Sequence, residues 1–500
     1  MSGSLAPVGW GQSEQAMWAA YRRGEWYAGG PDIRAEAIRR LLLAPPPAEP
    51  GHLARLRLEG VRVTGRLDLA EAHVEGTLKF RDCRFERAPH LEGASLGALE
   101  LRDCEVPGVS AAGVSIGWKW ELTGCRLTGP LNLSGADIGG TLRLTDSELD
   151  GGVDLRDASV QGSVDLRAST LRVPRGTALR GNRLRVGGDL DCRGGLVAEG
   201  AVDLCDARLG GGALFEGATL SRADGPALRA HGIDVGAEFD CRGGFTAHGR
   251  ISLSNITVRS RISFDDAVID VPAGQPALTC RRTVAAELDL GTREPVHGTV
   301  DLSHTRVTVL RAAPGRGPRA LRLEGAVYDT LLPQLPAAQR LPLLAGDPEG
   351  FTPQPYERLA AVYRQHGRDA DARTVLLAKQ RRLRGTLARP GRVWSALQDI
   401  TVGYGYQPLR AVWWLVAMML TGTLLFSTWP PRPVEAGKGP HFQAAIYTFD
   451  LLLPLVDFGQ EQAYASRGPL QWAAVALVCL GWLLATTAAA GANRMLRRAD

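Results

Sequence analysis

Glu121-Leu-Thr-Gly-Cys-Arg-Leu-Thr-Gly129 is followed by Pro130-Leu-Asn-Leu-Ser-Gly-Ala-Asp-Ile-Gly-Gly140, Thr141-Leu-Arg-Leu-Thr-Asp-Ser-Glu-Leu-Asp-Gly151, Gly152-Val-Asp-Leu-Arg-Asp-Ala-Ser-Val-Gln-Gly162 and Ser163-Val-Asp-Leu-Arg-Ala-Ser-Thr-Leu-Arg-Val173. Stacked eleven apart, these phrases form three columns. Leu122, Leu133, Leu144, Leu155 and Leu166 make one; Cys125, Ala136, Ser147, Ala158 and Ser169 a second; Leu127, Ile138, Leu149, Val160 and Leu171 a third. Each phrase holds two short apolar alternations around a small residue and closes on a turn residue such as Gly129, Gly139, Gly151 or Gly162. No phrase this short can bury its apolar face alone, so the period predicts stacked coils that bury their side chains against the coils above and below.

The phrase is equally plain in Arg66 to Val74 and Thr77 to Phe85, and the repeats run over 51–327. Beyond residue 173 a longer unit appears. Ala178-Leu-Arg through Val186-Gly-Gly-Asp-Leu-Asp-Cys-Arg-Gly-Gly195 returns 49 residues later as Ala227-Leu-Arg through Val235-Gly-Ala-Glu-Phe-Asp-Cys-Arg-Gly-Gly244, with a weaker copy from Ala277 to Leu290 and the start of another at Ala320. The surplus over four phrases sits in the inserts Val173-Pro-Arg-Gly176, Arg222-Ala-Asp-Gly225 and Val271-Pro-Ala-Gly274. If two phrases make one coil of about 22 residues, an insert recurs every second coil and the inserts line one edge of the rod, where repeat proteins place binding surfaces. Drift of a tolerated corner loop would produce the same spacing. About 12 such coils at ~4.8 Å each give a rod ~60 Å long.

Composition narrows the function. The 60 glycines follow from the repeat corners, and the formal net charge of +5 comes from 58 basic and 53 acidic residues, with Lys only at 79, 119, 379 and 438. Arg alternates with Asp and Glu along the repeats instead of forming a basic stripe, which argues against nucleic acid. The eight cysteines, at 83, 104, 125, 192, 205, 241, 280 and 479, form no Cys-x-x-Cys pair. Cys83, Cys104 and Cys125 fall in the small-residue column, so they read as free buried thiols in a reducing compartment, with neither metal nor disulfide.

Residues 1–50 read as a helical N-terminal cap on the open first coil. One helix lies over Glu14 to Arg23, and a second, capped by Asp32, runs from Ile33 to Leu43 until Pro45-Pro-Pro47 ends it. No cleavable signal peptide is expected, because the first thirty residues lack a continuous apolar core. Residues 328–395 read as a Pro-rich junction followed by a helical hairpin, Tyr356 to His366 and Ala370 to Thr386 with Gly367 between, ending in the basic run Lys379-Gln-Arg-Arg-Leu-Arg384. Residues 396–500 read as a membrane module: two uncharged, Trp-edged stretches at 409–429 and 469–492, joined by an external loop at 430–468. Arg389, Arg392 and Arg410 before the first, and Arg494, Arg497 and Arg498 after the second, outnumber Arg432, Lys438 and Arg467 between them. The positive-inside rule then puts both termini and the solenoid in the cytoplasm.

Thr401-Val-Gly-Tyr-Gly405 spells a potassium-channel filter but precedes the first span instead of lying between two. Its neighbourhood reads as a membrane-surface anchor made by Trp394, Tyr404 and Arg410. The loop at 440–465 does sit where a pore loop would. Its apolar run Phe442 to Val456 suits an interfacial or re-entrant helix, packed on the two spans in one reading and lining an oligomeric pore with Asp450 and Asp457 at the mouth in another. No dinucleotide, P-loop, metalloprotease or nucleophile-elbow motif is present, so catalytic residues stay unassigned and no cofactor or metal is expected. The Asp-Cys-Arg-Gly-Gly phrase at 191 and 240 recurs with the coil, which favours a packing role.

The x-Leu-x-Leu-x-x-Ala-x-Leu columns resemble those of pentapeptide-repeat proteins, with a spacing of eleven where that family uses ten; the resemblance implies a four-sided, right-handed parallel β-helix. Ile33-Arg-Ala-Glu-Ala-Ile38, Gly65-Arg-Leu-Asp-Leu69, Pro355-Tyr-Glu-Arg-Leu-Ala360 and Thr401-Val-Gly-Tyr-Gly-Tyr-Gln-Pro408 resemble actinobacterial membrane proteins labelled membrane-associated oxidoreductases, over nearly the full length. The residues themselves favour a mainly β, membrane-anchored cytoplasmic solenoid that serves as a scaffold or partner-binding platform. Two alternatives stay open: a channel-like or sensor homo-oligomer built on the 440–465 loop, and the oxidoreductase that the family label implies. Partners expected from this reading are the lipid bilayer and a protein along the β-helix, and no nucleic acid.

Overall fold

The computed structural model describes residues 9–496 except 31, 273, 314, 348–349, 390, 393–394, 397–398, 400–407, 436–440 and 453–457, with backbone alone at 223, 319, 408–409, 411 and 485–496. Two compact units divide the chain, Met1–Arg358 and Leu359–Asp500.

The first unit is a parallel β-solenoid. One coil consists of four short strands, Arg126–Leu127, Leu131–Asn132, Asp137–Ile138 and Leu142–Thr145. Each pairs in parallel with its equivalent one coil on, Leu127 with Leu149, Leu131 with Val153, Ile138 with Val160 and Leu142 with Val164. A single inward column can be followed through thirteen rungs, from Leu56 by way of Leu78, Leu99, Trp120 and Leu142 to Leu331. Twelve steps of ~4.8 Å make this stack ~60 Å long. Val164 and Leu190, Ala213 and Phe239, and Ile262 and Leu288 pair although 26 residues apart, while the alternate steps Leu190 to Ala213 and Phe239 to Ile262 take 23. The extra residues therefore do enter every second coil, on one side.

Three details differ from expectation. The glycines closing the phrases are not needed for a left-handed turn: Gly129, Gly139, Gly151 and Gly162 are absent from the positive-φ positions, several of which are held by Asp, such as Asp146 and Asp157. Their constraint is steric. A Cβ on Gly139 would lie 2.4 Å from Gly117 O and one on Gly129 2.3 Å from Pro107 O, so coil backbones meet there without side chains between them. Second, the small-residue column does more than fill space. Cys83 N–H donates to Cys104 Sγ (3.4 Å), Cys125 N–H to Ser147 Oγ (3.1 Å) and Ser147 N–H to Ser169 Oγ (3.2 Å). The side chain of one coil thus satisfies a buried amide of the coil before it. Ser147→Ala should cost about 1–3 kcal/mol in chemical unfolding, because the Cys125 amide loses its acceptor, whereas Ser147→Cys should cost clearly less.

Third, the N-terminal cap is helix and strand together. Helix α1 (Gln12–Arg23) buries Met17 and Trp18, but α2 starts at Ala35 and ends at Leu43. Ile33 and Arg34, expected to be its first turn, instead pair with Val63 and Thr64, and Tyr27–Ala28 pair with Leu58–Glu59. Completing the first coil's ladder outweighs helix propensity at Ile33, and it moves the helix start away from Asp32. Glu14, only 4% exposed, ties the parts together by accepting from Gly11 N–H (3.0 Å) and from Arg34 Nε and Nη2 (both 2.7 Å). Its hydrogen bond to Arg34 holds the carboxyl below the usual range against burial. A depressed folded-state value means stability present above the unfolded pKa and lost as pH falls through the folded one. Glu14→Gln should therefore lower the thermal midpoint at pH 7, with the gap to the parent closing below about pH 4.

At the other end, α3 (Ala337–Ala345) covers the last coil, and Arg340, 1% exposed, donates to the carbonyls of Ala312 and Pro333. The first turn of α4 (Pro353–Gln365) continues the cover: Gln354 Oε1 accepts Gly325 N–H (3.0 Å) and Arg358 Nε donates to Tyr328 O (2.9 Å).

In the second unit the expected hairpin is present. Leu359, Val362 and Tyr363 of α4 are buried, as are Ala372, Val375 and Leu376 of α5 (Asp369–Thr386), and Gly367 turns with φ 72°. Helices α6 (Pro408–Thr428), α7 (Ala444–Leu452), α8 (Gln460–Ala463) and α9 (Pro469–Leu496) follow. Helix α7 packs on both long helices, closely enough that a Cβ on Gly422 would meet Thr448 at 2.4 Å and one on Gly481 would meet Leu452 O at 2.3 Å. Phe426 and Tyr447 form an edge-to-face pair 4.9 Å apart within this packing. Among the described residues no helix is long and apolar enough to cross a membrane. The two spans expected at 409–429 and 469–492 therefore gain no support from the described residues.

Candidate functional site

The first two inserts do not loop out from the rod. Val173 to Gly176 lies within one continuous strand, Thr170–Arg180, and Arg222 to Gly225 within another, Thr219–Arg229; each is bulged against its neighbours. The uninserted coils make room for them. Gly200, Gly249 and Gly298, each 49 residues from the next, lie opposite the inserts, and a Cβ on Gly200 would sit 2.5 Å from Val173 O. The same 49-residue offset that revealed the inserts carried this signal, in the dipeptides Glu199-Gly200, His248-Gly249 and His297-Gly298. Sequence reasoning passed over it.

The result is a polar edge with one residue per rung. Arg172 pairs with Glu199, Glu199 with Ser221, Ser221 with His248, and His248 with Asp270. A groove of about 460 Å³ runs along this edge, lined by Pro174, Glu199, Ser221, Arg222, His248, Gly249, Asp270 and Pro272. Both charge signs are present, and the prolines stiffen the walls.

Ser221, His248 and Asp270 invite comparison with a hydrolytic triad. His248 Nδ1 lies 3.3 Å from Asp270 Oδ2, but these side chains are 53% and 69% exposed. Among the described residues, no hydrogen bond joins Ser221 Oγ to the imidazole. A triad needs a buried carboxylate orienting a ring that is itself bonded to the nucleophile, so this geometry suits binding instead.

The repeated acid–thiol–Arg phrase resolves into separate jobs. Asp191 accepts from Arg193 N–H (3.1 Å) and from the Arg193 guanidinium (2.8 and 3.0 Å), a corner clamp repeated by Asp165 with Arg167 and by Asp240 with Arg242. Cys192 and Cys241 point into the core, where burial pushes both thiols well above their ordinary range. Cys205 is pushed up to about 11 by burial and by its bond to Asp203. These are not nucleophiles. Among the described residues no cluster of three or more His, Cys, Asp or Glu is arranged to hold a metal.

In the second unit, Asp450 is 3% exposed and accepts the backbone N–H groups of Phe458 (2.9 Å), Gln460 (2.9 Å) and Glu461 (3.4 Å). It caps the short α8 from inside the fold. Asp457, its expected companion, lies outside the described residues, as do Trp394 and Tyr404. Arg410 is exposed and donates to Asp399 O (3.4 Å); the Asp399 carboxylate in turn holds Arg381 (3.0 Å) and Arg384 (3.4 Å). The basic run in the last turns of α5 is thus partly neutralised by an aspartate that sequence reasoning did not connect to it, since Asp399 stands 18 residues from Arg381.

No protein-family model, curated protein or solved structure matches the chain.

Proposed function

We propose that the chain is a membrane-anchored β-solenoid that serves as a platform for a protein partner. In this reading α6 and α9 cross the bilayer near 409–429 and 469–492, and the right-handed solenoid and both termini lie in the cytoplasm. The partner occupies the insert edge.

One observation carries the membrane half. Of the 18 large apolar side chains that stand exposed among the described residues, thirteen fall between 412 and 482, including Trp413, Trp414, Leu420, Leu424, Trp429 and Trp472. So much apolar surface is unfavourable in water, and such a belt edged by tryptophan fits lipid. The basic flanks at 389–410 and 494–498 support the orientation. The partner half is supported by the insert groove, where the repeat departs from its own period to build a mixed-charge, proline-walled surface.

The chain should stay in the membrane pellet after an alkaline carbonate wash. Leu420→Arg together with Leu424→Arg, each worth about 2.5–3.5 kcal/mol against insertion at a span's centre, should move it to the supernatant. Recovery of the parent chain in the supernatant refutes the anchor. For the partner, a photo-crosslinker placed in cells at position 222 or 248 should capture one common protein that the same probe at position 143, on another face, does not. Equal capture from all three positions refutes a dedicated edge.

A further inference from the structure

A second site lies elsewhere on the solenoid, at the corner that leads into the Trp120–Thr123 strand. Successive coils stack Gly97, Trp118, Gly140, Gly162 and Gly188 at this corner. Trp118 N–H donates to Gly97 O (2.9 Å), and Gly162 N–H to Gly140 O and Gly188 N–H to Gly162 O (both 2.9 Å). Gly140 has no room for a side chain, since a Cβ would lie 1.7 Å from Trp118 O. Trp118 is thus the one bulky residue in a column of bare backbone. Its indole is 75% exposed, standing in solvent with space on both sides, and the space is a cleft of about 530 Å³. That is within the roughly 300–1,000 Å³ of small-ligand sites.

Polar groups in the cleft are already paired. Lys119 Nζ bridges Glu100 (2.9 Å) and Glu121 (3.0 Å), Lys79 holds Glu100 from the adjacent coil (2.8 Å), and Arg143 approaches Glu121 (3.6 Å). Burial opposes ionisation of both Glu100 and Lys119, yet hydrogen bonds prevail, from Lys79 and Lys119 to the carboxyl and from the ammonium to Glu100 and Glu121, keeping the carboxyl below and the ammonium above their usual ranges. Lys119 and Arg143 face Glu100 and Glu121 in the lining, and Lys79 and Arg102 reach the same two carboxylates (2.8 and 3.6 Å), so neither carboxylate is left free to recruit a cation. An ionic ligand would have to break pairs whose carboxylates, Glu100 and Glu121, are mostly buried. Neutral hydroxyls need not: each can accept from the ammonium and donate to a carboxylate while the pairs stay intact. Behind them Trp120 lines the same cleft, fully buried, and its Nε1–H has no partner among the described residues.

We propose that this cleft binds a neutral oligosaccharide, one sugar ring stacking its C–H face on Trp118 while its hydroxyls bridge Lys119, Glu100 and Glu121. The indole supplies a flat apolar platform, and the paired charges supply donors and acceptors at its edge. The site uses no residue of the insert edge and does not depend on membrane anchoring.

Full-length chain in detergent, titrated calorimetrically with maltohexaose and with cellohexaose, should bind at least one of them. Trp118→Ala should weaken that binding at least tenfold, and Trp118→Phe should restore part of it. Because Trp118 is exposed, the alanine variant should keep the parent's thermal midpoint, so a loss of binding reports on the platform and not on folding. Heat from neither hexasaccharide overturns the proposal. So does sugar binding that Trp118→Ala leaves intact, and so does a cleft that binds tetraarginine through Trp118 while ignoring both sugars.

Discussion

Trp120→Ala should destabilise the solenoid by about 3–5 kcal/mol. Trp120 sits in the inward column between Leu99 and Leu142, at 0% exposure, and is the largest fully buried side chain among the described residues. Neighbouring rungs cannot collapse to fill its space, because coil backbones are pinned at the corner by contacts such as Gly139 against Gly117 O. A solenoid is held by interfaces between adjacent coils, so weakening one rung also loosens the coupling between the coils on either side. Denaturant unfolding followed by circular dichroism should show a lower midpoint and a broader transition as the N-terminal coils begin to melt separately. Trp120→Phe tests the account from the other side. It keeps most of the volume and removes an indole N–H that has no partner among the described residues, so its cost should stay under ~1.5 kcal/mol. An alanine variant within ~1 kcal/mol of the parent would refute this packing account.

Much of the solenoid could be read from Glu121 to Val173 alone, because its burial is repetitive: a residue's environment depends on its column, and columns are visible as sequence period. Leu122, Ile138 and Leu149 all face inward as their spacing requires. The alternation of 23- and 26-residue coils followed from the 49-residue offset for the same reason. What escaped depends on which residues meet across coils. Trp118 is one letter in Gly-Trp-Lys-Trp, and the cleft beside it exists only because Gly97 and Gly140 stack on it from 21 and 22 residues away. Ser147 reads as a small filler until the Cys125 amide is seen to point at its hydroxyl. Ile33 reads as helix because nothing local reveals that Val63 lacks a strand partner. Asp450 reads as a candidate pore-mouth acid because the amides that engage it come from eight to eleven residues downstream, after an apolar run.

Arg340→Met should turn the C-terminal end of the solenoid into a docking edge for other copies. A parallel solenoid ends in a rung whose outward N–H and C=O groups have no next coil, and such an edge templates association. Here α3 covers the strand Pro318–Arg322 and the first turn of α4 meets Tyr328 of the last strand, Val327–Leu332, with Arg340 a buried polar group of α3. Its guanidinium donates to the carbonyl of the buried Ala312 and to that of Pro333 at the rim of the cover. Methionine matches the stem's bulk but offers no donor. The buried Ala312 carbonyl then loses a charge-assisted partner, for a cost of about 1–3 kcal/mol, and the cheapest remedy is for α3 to lift so that water can reach it. Lifting α3 exposes the rung. Lowered stability with concentration-dependent growth in mass, measured by light scattering on detergent-purified chain, is therefore expected together. Arg340→Lys, which keeps one donor group, should show the smaller stability loss and little growth. A methionine variant that is destabilised but stays at the parent's mass would mean that α3 holds the end closed by packing alone, and that the buried arginine serves only its own hydrogen bonds.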